Sequence, residues 1–171
     1  MKAGMRSSSR YVAGSLFFIA VTACGDYHPS DAELMRRLRA DRPAYDSVRA
    51  MALADSSLWR VAPDWYRVRS GENRDSASAA LSAGRWQAYR ELFARLGLKN
   101  GISIESGAVY FLVSDRGITG SGSSKGLAFM PQPADATPRC ASLDSFPPAA
   151  GDGHGICYRP IGNGWFVSLD W

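Results

Sequence analysis

Histidine occurs twice and cysteine three times in this chain. That scarcity excludes most metal centres and most nucleophile–base pairs, because such sites need several imidazole, thiolate or carboxylate groups that converge. His28 lies in the short segment Gly25-Asp26-Tyr27-His28-Pro29, and His154 lies three residues before Cys157. The local metal ligands on offer are Asp152, His154 and Cys157, which is a weak set. A Cys157/His154 pair would define a small hydrolase-like enzyme, but only with a free thiol in contact with the imidazole. Strand residues three apart rarely make that contact. No cofactor is implied.

Long apolar runs are missing as well. From Tyr11 to Ala23 the chain is apolar but for Tyr11, Ser15 and Thr22. This falls short of the roughly 20 residues that a membrane-spanning helix needs. The preceding segment carries Lys2, Arg6 and Arg10 and no acid. A basic start, a short apolar core and small residues before a break describe a secretory leader over residues 1–23. Concentrated positive charge is also lacking. The chain is +4, with 20 basic and 16 acidic residues, but three of the basic ones lie in that leader. The remainder is close to neutral, which argues against nucleic-acid binding. No internal repeat or long low-complexity segment occurs.

What the break contains is specific. Val21-Thr22-Ala23-Cys24 resembles the lipobox of bacterial lipoproteins. That resemblance implies cleavage before Cys24, a diacylglyceryl thioether on its sulfur and an exported, lipid-anchored protein facing the periplasm or the exterior. Two or more acyl chains hold a protein stably where one holds it marginally. Gly25 leaves out the aspartate that often retains lipoproteins at the inner membrane, so the outer membrane is open to it. With Cys24 lipidated, Cys140 and Cys157 remain, and the oxidising compartment favours a disulfide between them.

Residues 24–30 read as a lipidated tether and 31–171 as one α+β domain. Ser30 and Glu33 have the spacing of a capping box, which starts a helix. Leu34 and Leu38, then Tyr45, Val48 and Met51, follow a helical stripe interrupted at Asp41-Arg42-Pro43. Two helices or one kinked helix fit that pattern. Arg36, Arg37, Arg39, Arg42 and Arg49 read as a solvated face, with anionic lipid as the alternative partner. Residues 58–68 predict a short strand and a turn, and 70–81 a loop. Ser82 caps a second amphipathic stretch carrying Trp86, Tyr89, Phe93 and Leu96, closed by Gly97. From Gly101 the period becomes two. Strands are expected at 102–104, 108–114 and 125–131, with a C-terminal hairpin turning at Asn163-Gly164. In that hairpin a simple two-residue turn places Tyr158, Ile156, Trp165, Val167, Leu169 and Trp171 toward the helices. It places Cys157, Arg159, Ser168 and Asp170 on the other face. The expected architecture is N-terminal helices packed on one face of a four- to five-stranded antiparallel meander.

One glycine-rich stretch, Arg116 to Phe129, invites a nucleotide reading. Gly117 and Gly122 have the outer spacing of a phosphate-binding loop, but Ser123 stands where its lysine belongs and a strand follows in place of a helix. A nucleotide site is therefore not expected. Ser121, Gly122, Ser123, Ser124 and Lys125 are instead a possible surface contact loop. This stretch resembles the serine-glycine-lysine loop of small β-barrel lipoproteins that inhibit lysozyme, which implies an inhibitor-type role. The helix with its tryptophan, the strand–SGSSKG–strand unit and the aromatic C-terminal hairpin together look like an uncharacterised set of small exported bacterial proteins, and that likeness implies no activity. The function expected is a membrane-anchored envelope lipoprotein with a non-enzymatic binding role toward an envelope protein.

Overall fold

The computed structural model describes residues 28–69, 81–117, 122–133, 137–145 and 154–171. The leader, Cys24, the 70–80 loop, Ser121 and Asp152 lie outside the described residues. Among the described residues no helix is long and apolar enough to cross a membrane.

Helix α1 runs Asp31–Ala40 and α2 runs Arg42–Ala54, so the chain makes two helices that meet at Asp41. Proline in the first turn of α2 is tolerated because the first amides of a helix have no partner within it. Half of the expected capping box forms. The Ser30 hydroxyl accepts from the Glu33 amide at 3.2 Å. The Glu33 carboxylate, however, turns to Arg36 and Arg37, each at 2.9 Å. Arg42 and Arg49 pair with Asp46 and lie over the rings of Trp165 and Phe129. Helix α3, Ala83–Leu96, has the expected ends: Ser82 caps it, Gly97 takes the left-handed conformation, and the Leu98 amide donates to the Phe93 carbonyl. Its stripe of Tyr89, Phe93 and Leu96 is buried.

The sheet is larger than the sequence indicates. Seven antiparallel strands stand in the order β2-β1-β3-β4-β5-β7-β6. They are β1 Leu58–Val61, β2 Tyr66–Val68, β3 Ile102–Glu105, β4 Ala108–Arg116, β5 Ser123–Phe129, β6 Ile156–Gly162 and β7 Trp165–Asp170. Residues 58–68, expected to give one short strand and a turn, give two strands that pair with each other, with Pro63 and Asp64 in the turn between them. The meander ends at β5, because β7 pairs with it and β6 takes the outer position. Residues 138–140 then run along β6: the Tyr158 amide donates to Pro138 and the Cys140 amide to Tyr158, both at 3.0 Å. That pairing protects an edge that would otherwise offer free backbone groups.

The three described helices contribute to one core with one face of the sheet. Leu34, Val48 and Phe93 join Phe111, Leu127, Val167 and Leu169 there. Tyr45, Phe111, Phe129 and Trp165 form its aromatic centre, with Tyr45 5.3 Å from Phe111 between ring centroids and edge-on to it. Side chains of this size stabilise by roughly 1.5–3 kcal/mol each when fully buried.

The C-terminal hairpin corrects the expected register. Gly162 does face Trp165, but Pro160 faces Phe166 and Cys157 faces Leu169, with an irregularity between Pro160 and Gly162. Ile161 is the extra residue of a β-bulge, and with period-two alternation one extra residue exchanges the two faces of β6. Cys157 therefore joins the core beneath the helices, while Tyr158 and Ile156 go to the opposite face.

A candidate ligand groove on the open face of the sheet

Of the residues singled out in the glycine-rich stretch, those that the structure describes do not lie in a contact loop. Ser123, Ser124 and Lys125 lie inside β5, with Gly122 just before it. Lys125 is 2% exposed. Its ammonium meets Asp31 Oδ1 at 2.8 Å, Asp144 Oδ1 at 2.9 Å and the Leu143 carbonyl at 3.1 Å. Asp31 Oδ2 accepts from the Leu143 amide and from Arg159, both at 2.9 Å. Burial works to raise the Asp31 carboxyl, yet these donors outweigh it and hold it below the usual carboxylate range. Lys125 thus locks the start of α1 to β5 and the 142–144 turn, Arg159 ties it to β6, and Lys125 is unavailable to a phosphate or to an inhibited enzyme. Period-two patterning places Lys125 on the helix-covered face, and that signal was present in the sequence.

Gly126 has a separate reason. A β-bulge in β4 between Leu112 and Ser114 brings the Phe111 carbonyl against it. A Cβ at Gly126 would sit 1.9 Å from that oxygen.

The cysteine–histidine pair is overturned. Cys157 is bonded to Cys140, with Cα atoms 6.0 Å apart, so it carries no thiol. His154 is exposed. Among the described residues no group of three or more His, Cys, Asp or Glu side chains converges on a metal position. His28, read as part of a tether, is docked instead: its Nδ1 lies 3.0 Å from Ser114 Oγ and its Nε2 lies 2.7 Å from Ser123 Oγ. The second contact has the length of a nucleophile–base bond. The imidazole is nevertheless pushed down to about 4, by burial first and then by the charges of Arg116 and Lys125. A base that weak does not suit proton abstraction near neutral pH.

Among the described residues no helix covers the other face of the sheet, and that face carries a concavity. Alternate residues of five strands line a cavity of about 130 Å³: Ser103 and Glu105 from β3, Tyr110 and Leu112 from β4, Ser124 and Gly126 from β5, Ile156 and Tyr158 from β6, Ser168 and Asp170 from β7. A wider depression of about 730 Å³ continues from it. The two share Glu105, Tyr110, Ile156 and Tyr158, and the second extends over the Ser106-Gly107 turn to Met130, Pro131, Pro133 and Pro138. A small apolar cluster of Ala108, Ala128, Met130, Tyr158 and Phe166 supports it. Tyr110 and Tyr158 meet hydroxyl to hydroxyl at 3.3 Å. Burial pushes the Tyr158 phenol up, and its bond to Tyr110 adds to this. Asp170 is also pushed up, chiefly by burial and further by Glu105, with His154 opposing.

Sequence reasoning placed Ser168 and Asp170 on this face but missed the groove. Its lining is spread over five strands, and the expected register put Tyr158 and Ile156 on the wrong side. Carboxylates, phenols and hydroxyls around a concavity can hold and orient a polar ligand. The described residues bring no activated nucleophile to it. Compared with known protein families, with curated proteins and with solved structures, the chain matches none of them.

Proposed function

We propose that this chain is an exported, lipid-anchored envelope protein whose α+β domain binds a ligand in the groove on the open face of its sheet. The carrying observation is the unequal treatment of the two sheet faces: helices and aromatic side chains fill one, while the other keeps a polar concavity that continues into a proline-lined depression. The leader, the lipobox at Val21-Thr22-Ala23-Cys24 and a disulfide between Cys140 and Cys157 support export and anchoring.

Two measurements test this reading. Cys24→Ser should leave an uncleaved precursor or a product that no longer partitions into detergent, and normal processing with detergent partitioning would reject the anchor. A photo-crosslinking side chain at Ile156, on the groove rim, should capture an adduct in the intact envelope. The same group at Ala40, on the helical layer, should not. Equal labelling at both positions, or none at Ile156, would reject the groove.

A further inference from the structure

We propose that the β1–β2 hairpin docks the domain on an anionic bilayer, with Trp59 and Trp65 entering the interfacial layer and Arg60 and Arg67 meeting lipid phosphates. This rests on the anchored reading above and adds a second point of contact with the same membrane.

The make-up of the hairpin is the first argument. Among the described residues the large apolar side chains left exposed are Leu53, Trp59, Trp65 and Ile156, and both tryptophans belong to this hairpin. Arg60 stands opposite Arg67 across the hairpin and opposite Ser103 of β3, which puts the arginines on the open face of the sheet. The Arg67 guanidinium lies 5.4 Å from the ring centroid of Trp59 and 6.0 Å from that of Trp65. Arg60 lies 5.7 Å from Trp65. Cations and indoles thus form one continuous patch. Indole rings favour the head-group layer of a bilayer, and arginine is drawn to its anionic surface.

Charge is left over in that patch. Like charges directly opposite on neighbouring strands repel. Among the described residues neither arginine makes an ion pair. Arg60 donates to the Asn100 carbonyl at 3.3 Å, but its Nε has no hydrogen-bond partner. The opposing charges are Asp115 on β4, which acts on Arg60 from a distance, and Asp64 in the turn. A phosphate accepts from guanidinium groups and removes the repulsion between them.

Position is the second argument, and it is independent of the first. Val61 pairs with Ile102 and Ile102 with Phe111, so the turn after Val61 lies toward the end of the sheet that holds Ser114. Ser114 is where His28 docks. Only β3 separates β1 from β4, about 10 Å at the usual strand spacing. Cys24 is four residue steps before His28, far less than the width of a seven-stranded sheet. A lipid on Cys24 therefore brings the bilayer to the end where the hairpin turns. The other side of that turn offers a depression of about 510 Å³, lined by Pro63, Phe93 and Leu98 together with Arg90, Glu91 and Lys99.

Brominated lipids quench tryptophan at a membrane surface, and they test this on the full-length protein reconstituted in vesicles. One set is brominated phosphatidylcholine alone, and the other adds brominated phosphatidylglycerol. Quenching should be about threefold stronger in the anionic set. Trp59→Phe/Trp65→Phe should abolish the difference while Trp86, Trp165 and Trp171 still fluoresce. Arg67→Gln keeps both rings and should bring quenching down to the neutral level. Both changes lie at exposed positions, so unchanged melting temperatures should accompany the loss. Flotation in about 1 M salt reads the anchor separately, because surface charge is screened there. Protein that washes off both sets overturns the anchor and this inference with it. Anchored protein whose quenching is equal in the two sets, or is unchanged in either variant, overturns the docking alone. A fluorescence shift with soluble chitotetraose in place of quenching by lipid assigns the rings to a sugar and overturns it too.

Discussion

The Lys125 ammonium lies 2.8 Å from the Asp31 carboxylate, with both side chains sealed from solvent. A lysine in a serine- and glycine-rich stretch reads as a surface group, and a substitution there would ordinarily matter little. The buried pair reverses that expectation. Lys125→Ala should destabilise the protein by about 3 kcal/mol, because removing one partner strands the other charge in the interior. Arg159 remains beside Asp31 and keeps the loss from being larger. Urea unfolding measures it, and Asp31→Asn added to Lys125→Ala should recover part of the loss. A change of half a kcal/mol or less would show that the pair is not buried in solution.

Acid should unfold the protein in two stages. The His28 imidazole is held down to about 4, against 6.5 when free. As pH falls the unfolded chain takes up that proton first, so the stability is complete above about pH 6.5 and fades toward pH 4. Asp31, held below the usual carboxylate range, contributes stability above about pH 4 that is lost below it. Melting temperature should therefore be level near neutrality and drop by about 4 °C at pH 5, on the order of 1 kcal/mol after screening of a half-exposed group. His28→Gln should remove the first stage and leave the second. A wild-type profile that is flat from pH 7 to 5 would contradict the docking of His28.

Reduction should also weaken the fold. The Cys140–Cys157 bond closes a sequence separation of 17, and opening a loop of that size costs roughly 3 kcal/mol in the chain-entropy view. Denaturant titration with and without a phosphine reductant should show the difference. The oxidised protein should yield a linked peptide by mass spectrometry of a non-reduced digest, and two freely alkylated cysteines would reject the bond.

Two glycines should respond with opposite signs. Gly126→Ala drives a methyl group into the Phe111 carbonyl and should cost about 1–3 kcal/mol, as overpacking does. Gly84 lies in the first turn of α3 with nothing within 4 Å of its absent Cβ. Gly84→Ala should stabilise by about 0.5–1 kcal/mol by reducing the freedom of the unfolded chain. Thermal melts of the two variants check both, and a neutral Gly126→Ala would place the bulge elsewhere.

Local chemistry made much of the fold readable. Ser30, Ser82 and Gly97 set helix ends through bonds to residues a few positions away, and Asn163 and Gly164 turn the last hairpin with φ of 53° and 77°. Such signals are complete within a short window. Ile161 is different. Pro160 and Gly162 are residue types that accompany bulges, and Gly162 takes a φ of 98°, but only pairing with the partner strand decides which residue is the extra one. That single insertion moved Cys157 into the core and Tyr158 to the groove. The groove was beyond sequence reading for the same reason: Glu105 and Asp170 are neighbours only because β3, β4, β5 and β7 stand side by side. Period two puts Lys125 on the face of Leu127 and Phe129, but the partner that neutralises its charge there, a residue of the first helix, is known only once that helix is placed.

The docking of His28 shortens the leash. Between Cys24 and His28 four residue steps reach at most about 14 Å when fully stretched. If Cys24 carries the lipid as proposed, the sheet end that bears Ser114 and Ser123 rides almost against the head groups. Ser124, next along β5, is in register with Asp170, and Asp170 with Ile156. One mouth of the groove would then open beside the bilayer, and the Ser106-Gly107 end would point away from it. A domain anchored in that way would sample only a thin layer at the membrane surface, and would meet whatever diffuses within that layer.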